Sequence, residues 1–125
     1  MLENADAVAN LAVKNLDTAK KFYRDTVGLK QVGAEGDEAI VFKSGNSKLN
    51  VYRSKYAGTN QATAVSWNVG DQVDEVVREL KGKGVRFEHY DLPGMTREGD
   101  IHIAGRMRTA WFKDPDGNIL NVANA

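Results

Sequence analysis

Two stretches of this chain repeat one another. Val41-Phe42-Lys43-Ser44-Gly45-Asn46-Ser47-Lys48-Leu49-Asn50-Val51 and Trp111-Phe112-Lys113-Asp114-Pro115-Asp116-Gly117-Asn118-Ile119-Leu120-Asn121-Val122 share a Phe-Lys entry and a Leu-Asn-Val exit. Each reads as strand, tight turn, strand, and the later copy has one more residue in its turn. A repeated hairpin constrains the fold strongly, because it asks for a repeated module around it. Two modules would set Asn50 and Asn121 at equivalent positions, facing each other across the site they build.

The rest of the chain follows the same order twice. Val8 to Val13 is short and apolar, a buried strand interrupted by Asn10. Asn15 has the chemistry of a helix N-cap, and Asp17 suits the first turn. Leu16, Ala19, Phe22, Tyr23 and Val27 recur at helical spacing until Gly28. Residues 29–34, 38–43 and 48–53 then read as three strands. After a polar linker over 54–63 the order restarts, with Ala64 to Val69 as a strand and Asp71 as a second N-cap. Val73, Val76, Val77 and Leu80 form a helical face that ends near Gly82 and Gly84. Residues 85–89 begin the next strand, and 106–113 and 118–123 close the module. Residues 88–105 are longer than the matching turn of the first half and read as a loop. The modules are thus about 7–53 and 64–123, each of βαβββ order, within one domain. Val13 aligns with Val69, Phe42 with Phe112 and Asn50 with Asn121, and the offset grows where that loop is longer.

Bulk properties exclude several classes. With 125 residues the chain can bury a core without staples, and 42% apolar with 27% charged residues is globular composition. Basic and acidic residues balance at 17 each, so there is no nucleic-acid footprint. No cysteine is present, which removes disulfides, thiolate metal sites and a Cys nucleophile. No apolar run reaches the roughly 18 residues that span a bilayer, and the N-terminus does not read as a signal peptide. The expectation is a cytoplasmic domain without membrane or nucleic-acid partners.

Asn15-Leu16-Asp17, Phe22-Tyr23-Arg24-Asp25, Gly28-Leu29 and the turn Asp114-Pro115-Asp116-Gly117-Asn118 together resemble the vicinal oxygen chelate superfamily, also called the glyoxalase, bleomycin resistance and extradiol dioxygenase superfamily. The resemblance covers the whole chain and implies an α+β fold, two βαβββ modules whose sheets curve into an open barrel around a cleft. Metal-using members of the superfamily carry His, Gln or Glu at four strand positions. Carried over by resemblance, these fall on Val8, Asn50, Ala64 and Asn121. Val8 and Ala64 have no donor atom, and the two Asn offer only neutral amide oxygens, weak ligands for a divalent transition metal. The expectation is no metal, no cofactor and no catalytic residue.

Strand parity divides the remaining residues. Asn10 shares a face with Val8 and Ala12, while Leu11 and Val13 face the helix. The parity that the resemblance turns inward places Asn10, Asn50, Tyr52, Ser66, Asn68, Met107, Thr109, Trp111 and Asn121 on the cleft, with Lys48 at its mouth. This is an uncharged, amide-rich surface with two rings. It suits an aromatic or otherwise uncharged organic ligand better than proton abstraction or nucleophilic attack. Trp111 is a stacking platform or core filling, and the Asn side chains orient a ligand or tie down neighbouring strands. Trp67 has the helix-facing parity of a core residue. Tyr90 and Met95, in the long loop, are candidates for a flap. His89 and His102 lie near Glu88, Asp91, Glu98 and Asp100 without any known ligand spacing, and read as solvated loop residues.

The leading expectation is a metal-free protein of the bleomycin-resistance-like branch that sequesters a small organic compound, as in antibiotic resistance, and is homodimeric by resemblance. One alternative is a lyase, isomerase or dioxygenase of glyoxalase type using a non-standard metal site, built on His102 and Asp100. Another is a regulatory or interaction module with a vestigial cleft.

Overall fold

In the computed structural model, which describes residues 1–125, the side-chain oxygen of Asn15 accepts the backbone N–H of Thr18 at 3.1 Å. That bond satisfies one of the free amides of the first turn and fixes where the helix begins. Helix α1 (Leu16–Lys21) follows β1 (Ala9–Val13) and continues through a π-helical turn, Phe22–Thr26. There the Val27 N–H reaches back five residues to the Phe22 carbonyl, at 2.9 Å. Gly28, with φ +87°, ends the helix and lets the Leu29 N–H bond to the Tyr23 carbonyl at 2.9 Å.

Strands β2 (Lys30–Glu35), β3 (Ala39–Ser44) and β4 (Ser47–Arg53) complete the first unit. Its sheet has the order β1-β4-β3-β2, with β1 parallel to β4 and the other pairs antiparallel. Leu11, Val13, Phe42, Leu49 and Val51 are buried, as are Ala19 and Tyr23 of the helix. Each large apolar side chain removed from water stabilises the unit by about 1.5–3 kcal/mol. The opposite parity leaves Asn10, Lys48 and Tyr52 exposed and Asn50 half-buried.

The first unit also includes Pro115–Asn118, the turn of the later hairpin, and runs from Met1 to Thr59. Asp116 Oδ1 accepts the backbone N–H of Lys14 at 3.2 Å, and Asn118 Nδ2 donates to the Ala12 carbonyl at 2.7 Å. Gly58 adopts φ +74°, and a Cβ there would lie 1.9 Å from the Asp116 carbonyl oxygen. The Asp-Pro-Asp-Gly-Asn turn therefore does more than reverse the chain, because its side chains bond the backbone just after and within β1. Ala57 is buried, so the stretch read as a polar linker is partly built into this unit.

The second unit comprises residues 60–114 and 119–125. It contains β5 (Thr63–Asn68), α2 (Val73–Gly82), β6 (Phe87–Glu88), β7 (Thr96–Glu98), β8 (Ile101–Ala104), β9 (Met107–Lys113) and β10 (Ile119–Ala123). The sheet order is β5-β10-β9-β8-β7, with β5 parallel to β10, and β6 also pairs with β9. Each unit is thus an open mixed sheet with its own helix, the α+β architecture that the repeat predicts.

Two expectations change here. Asp71 is not the N-cap of α2. A 3-10 turn, Gly70–Gln72, leads into the helix, and the Asn68 side chain accepts the Gly70 N–H at 3.0 Å instead. Residues 88–105 are not one loop, since they contain the β7–β8 hairpin. Strand β6 pairs with Phe112 and Trp111, and β8 pairs with Thr109, Arg108 and Met107. Both lie along β9 and are separated by an insertion of residues 89–100 that the first unit lacks, which carries β7 as the strand outside β8.

Val73, Val77 and Leu80 of α2 are buried together with Phe87, Ala110, Phe112, Leu120 and Val122, the helix-facing parity of the sheet. Phe87 and Phe112 pack with ring centroids 5.6 Å apart. No helix is long and apolar enough to cross a membrane.

Candidate functional site

The face of the second sheet away from α2 is fixed by register. Asn121 lies beside Ser66 on one side and Trp111 on the other, and Ala123 lies between Asn68 and Thr109. On β8, His102 is paired with Thr109. Alternation thus sets Ser66, Asn68, Thr109, Trp111, Asn121 and His102 on a single face. Tyr90, from the insertion, covers part of it.

Tyr90, His102 and Trp111 form a mutual aromatic cluster. The Trp111 ring stands edge-on to His102 and to Tyr90, with centroids 5.0 and 5.4 Å apart, and the Tyr90 and His102 rings are 6.2 Å apart. The backbone N–H of Tyr90 donates to His102 Nε2 at 2.9 Å. Trp111 Nε1 donates to Thr63 Oγ1 at 3.1 Å, which holds the indole in place.

His102 is only 1% exposed. The expectation of a solvated loop histidine is therefore wrong. Ile101 and Ile103 flank it, and in a strand that alternation sends the middle residue to the opposite face from both neighbours. Burial holds the imidazole pKa below its ordinary value, and the charges of Arg97 and His89 add to this. Burial also raises the Tyr90 phenol, helped by Glu88, so the hydroxyl keeps its proton. His102 Nδ1 and the Tyr90 hydroxyl are both buried and have no hydrogen-bond partner.

These two atoms belong to residues lining a cavity of about 430 Å³, whose wall also includes Leu92, Pro93, Met95 and Arg97. The cavity lies within the insertion and β8. Its size falls in the range of small-molecule sites, about 300–1,000 Å³.

The histidine and carboxylate thought to share a strand face do not act together. Asp100 pairs with Lys81 Nζ and His89 Nε2, each at 2.7 Å. The Lys81 hydrogen bond, then that of His89, holds its carboxyl below the usual range. Arg97 donates from one nitrogen to His89 Nδ1 at 3.0 Å and to the Gly99 carbonyl at 2.9 Å. His89 is therefore a half-exposed brace of the insertion.

The remaining predicted residues separate into two groups. In the first unit Asn50 Nδ2 donates to Asn10 Oδ1 at 2.8 Å, and Asn10 Nδ2 donates to the Val8 carbonyl at 3.1 Å. These amides tie β1 to β4, and Tyr52 lies exposed beside them on the same face. In the second unit Asn121 is buried and donates from its amide nitrogen to Thr109 Oγ1 and, at 3.2 Å, to the Ala110 carbonyl. Ser66 is exposed, and Met107 lies at the end of β9, 44% exposed. The structure brings Tyr90, Thr109 and Trp111 to the cluster, and adds His102, Leu92 and Arg97. The Leu92 and Arg97 contributions carry no local sequence signal.

The donor set does not fit a metal of the kind that the superfamily resemblance implies. Val8 and Ala64 offer only hydrocarbon, and the amide nitrogen of Asn121 is committed to its neighbouring strand. No group of three or more His, Asp or Glu side chains is arranged to hold an ion.

An open mixed sheet with one helix, built twice, is the frame of a known superfamily. Residues 6–122 match the Glyoxalase/Bleomycin resistance protein/Dioxygenase superfamily, and the chain belongs to it. Solved structures agree at the level of fold. An integron cassette protein from the mobile metagenome of the Halifax Harbour sewage outfall is 16% identical, with a TM-score of 0.72 over 98% of this chain and 99% of that one. Lactoylglutathione lyase from Agrobacterium tumefaciens is 21% identical, with a TM-score of 0.72 over 98% and 95%. The fosfomycin resistance protein FosX from Listeria monocytogenes, as an E126Q mutant complexed with Mn(II) and 1S,2S-dihydroxypropylphosphonic acid, is 15% identical, with a TM-score of 0.71 over 100% and 92%.

Proposed function

We propose that this chain is a metal-free binding protein for a small, flat, uncharged organic molecule, held by the second unit against Trp111, Tyr90 and His102. One observation carries the reading. Two buried polar atoms, His102 Nδ1 and the Tyr90 hydroxyl, lack partners in residues that line a cavity of ligand size. A buried polar group without a partner costs about 1–3 kcal/mol, and a ligand that pairs with it recovers that cost. Tyr90 and His102 line the cavity with ring surface, and Trp111 packs edge-on against both. The charges that line the cavity, Asp91 and Arg97, are opposite in sign, which favours a neutral occupant. The enzymatic rival rests on His102 acting with Asp100, and that carboxylate is paired with Lys81 and His89.

Titration of tryptophan fluorescence with flat aromatic compounds tests this. Saturable quenching is expected, weakened in Trp111→Ala and retained in Trp67→Phe, since Trp67 lies on the helix-facing parity. Quenching that never saturates would sink the binding reading. Stoichiometric Zn, Ni, Mn or Fe in the purified protein would sink the metal-free part of it.

A further inference from the structure

The hydrogen bond between Tyr90 and His102 fixes more than geometry. A backbone N–H can only donate, so His102 Nε2 must present its lone pair. A neutral imidazole carries one proton, and with Nε2 accepting, that proton sits on Nδ1. Burial favours the neutral form. Nδ1–H is therefore a donor of fixed position, buried, unpartnered, and unable to act as an acceptor. The Tyr90 hydroxyl, whose ring centroid lies 6.2 Å from that of His102, keeps its proton and is a second donor, also unpartnered.

Resting on the binding reading above, we infer that the ligand of this site is a flat conjugated molecule bearing a neutral acceptor oxygen, a ketone or related carbonyl, that accepts from His102 Nδ1–H and from the Tyr90 hydroxyl. A ligand offering only an N–H donor would face the His102 N–H and leave it unpaired. A purely hydrocarbon ligand would leave both donors unpaired. Sites with buried polar groups reject analogues that fail to pair with them far more strongly than apolar pockets reject a missing methylene. An anionic acceptor is disfavoured because the cavity's cation, Arg97, already donates to His89 and Gly99, while Asp91 lines the same wall.

Three bicyclic probes of similar size separate these cases. 1-Indanone carries an acceptor only, indole a donor only, and indane neither. Titrations are read in the full chain by the indole N–H resonance of Trp111 and by the ring nitrogens of His102. The free protein should show the Nδ1–H tautomer at His102. 1-Indanone should bind about tenfold more tightly than indane or indole and should shift the His102 Nδ1 signal. Tyr90→Phe should weaken 1-indanone severalfold and leave indane unchanged.

An Nε2–H tautomer at His102, equal affinities for the three probes, or a preference for indole would overturn the acceptor assignment while leaving the binding reading in place. Absence of any response at Trp111 or His102 to all three probes at millimolar concentration would remove the binding reading itself, and the acceptor assignment with it.

Discussion

Asn118, in the last turn, donates its side-chain amide to the carbonyl of Ala12, in the first strand, at 2.7 Å. The bond joins residues at opposite ends of the chain. It explains why the most recognisable turn of the sequence is also among its most constrained. Asn118 is 5% exposed, so its removal leaves a carbonyl of β1 without a partner in a dry setting. Asn118→Ala should cost about 1–3 kcal/mol, read as a lowered urea midpoint with an unchanged slope.

Gly58 opposes the same turn. Its φ of +74° disfavours any L side chain, and a Cβ would stand 1.9 Å from a backbone oxygen that cannot swing away. Gly58→Ala should therefore lose clearly more stability than Gly45→Ala, where φ is +58° and nothing lies within 4 Å of the Cβ. The second change carries only the conformational penalty, about 1–2 kcal/mol. Equal midpoints for the two variants would contradict the close approach.

Neighbouring residues on β9 should behave oppositely. Phe112 is fully buried on the helix side, and Phe112→Ala should cost about 3–5 kcal/mol. Trp111 is half-buried on the other face, held by one bond to Thr63 and two ring contacts. Trp111→Ala should cost less in urea unfolding and more in ligand affinity. That reversal is the signature of a strand with one structural and one functional face.

Which residues of β9 share a face is legible in the sequence because strand parity is strict. A period of two sorts Thr109 and Trp111 from Ala110 and Phe112 on residue order alone. The helix start at Asn15 was legible for a local reason, since the cap is three residues from its donor. The site's other half was not. His102 sits in an insertion whose short strands carry weak patterns, and its partner is a backbone amide across that insertion. Only the flanking Ile101 and Ile103 pointed to its burial. Asp71 does not cap α2 because two polar residues near the helix start compete, and Asn68 takes the turn.

Burial of His102 predicts a dependence of stability on acid. Its folded pKa lies below the ordinary 6.5. Above pH 6.5 neither state takes up the proton and the native state keeps its full advantage. As pH falls below 6.5 the unfolded chain binds the proton first, so stability drops until the folded pKa is passed. His102→Gln keeps an acceptor for the Tyr90 N–H but does not titrate. The difference in melting temperature between native chain and variant should change between pH 7.5 and 5.5, always against the native chain on the acid side. Asp100 adds a separate loss below its ordinary 3.8, because its folded pKa is lower still. Asp100→Asn should flatten that second limb alone.

Asn121 offers a sharp test of the metal-free reading proposed above. Its position is where a metal-binding carboxylate is expected by resemblance, yet its amide nitrogen donates to both Thr109 and the Ala110 carbonyl. A carboxylate has no N–H. In Asn121→Asp the Thr109 hydroxyl can turn and donate, but the Ala110 carbonyl, 3.2 Å from the original nitrogen, would face a negative oxygen. The site is 5% exposed, so water cannot relieve the repulsion. The variant should lose about 1–3 kcal/mol at neutral pH and recover part of it in acid, where a protonated carboxyl again supplies a donor. Added Mn or Zn should not restore the loss, because Ala64 on β5 and the other nearby positions supply no further charged ligand. Stabilisation of Asn121→Asp by a divalent metal would show instead that this sheet retains the rest of a metal site.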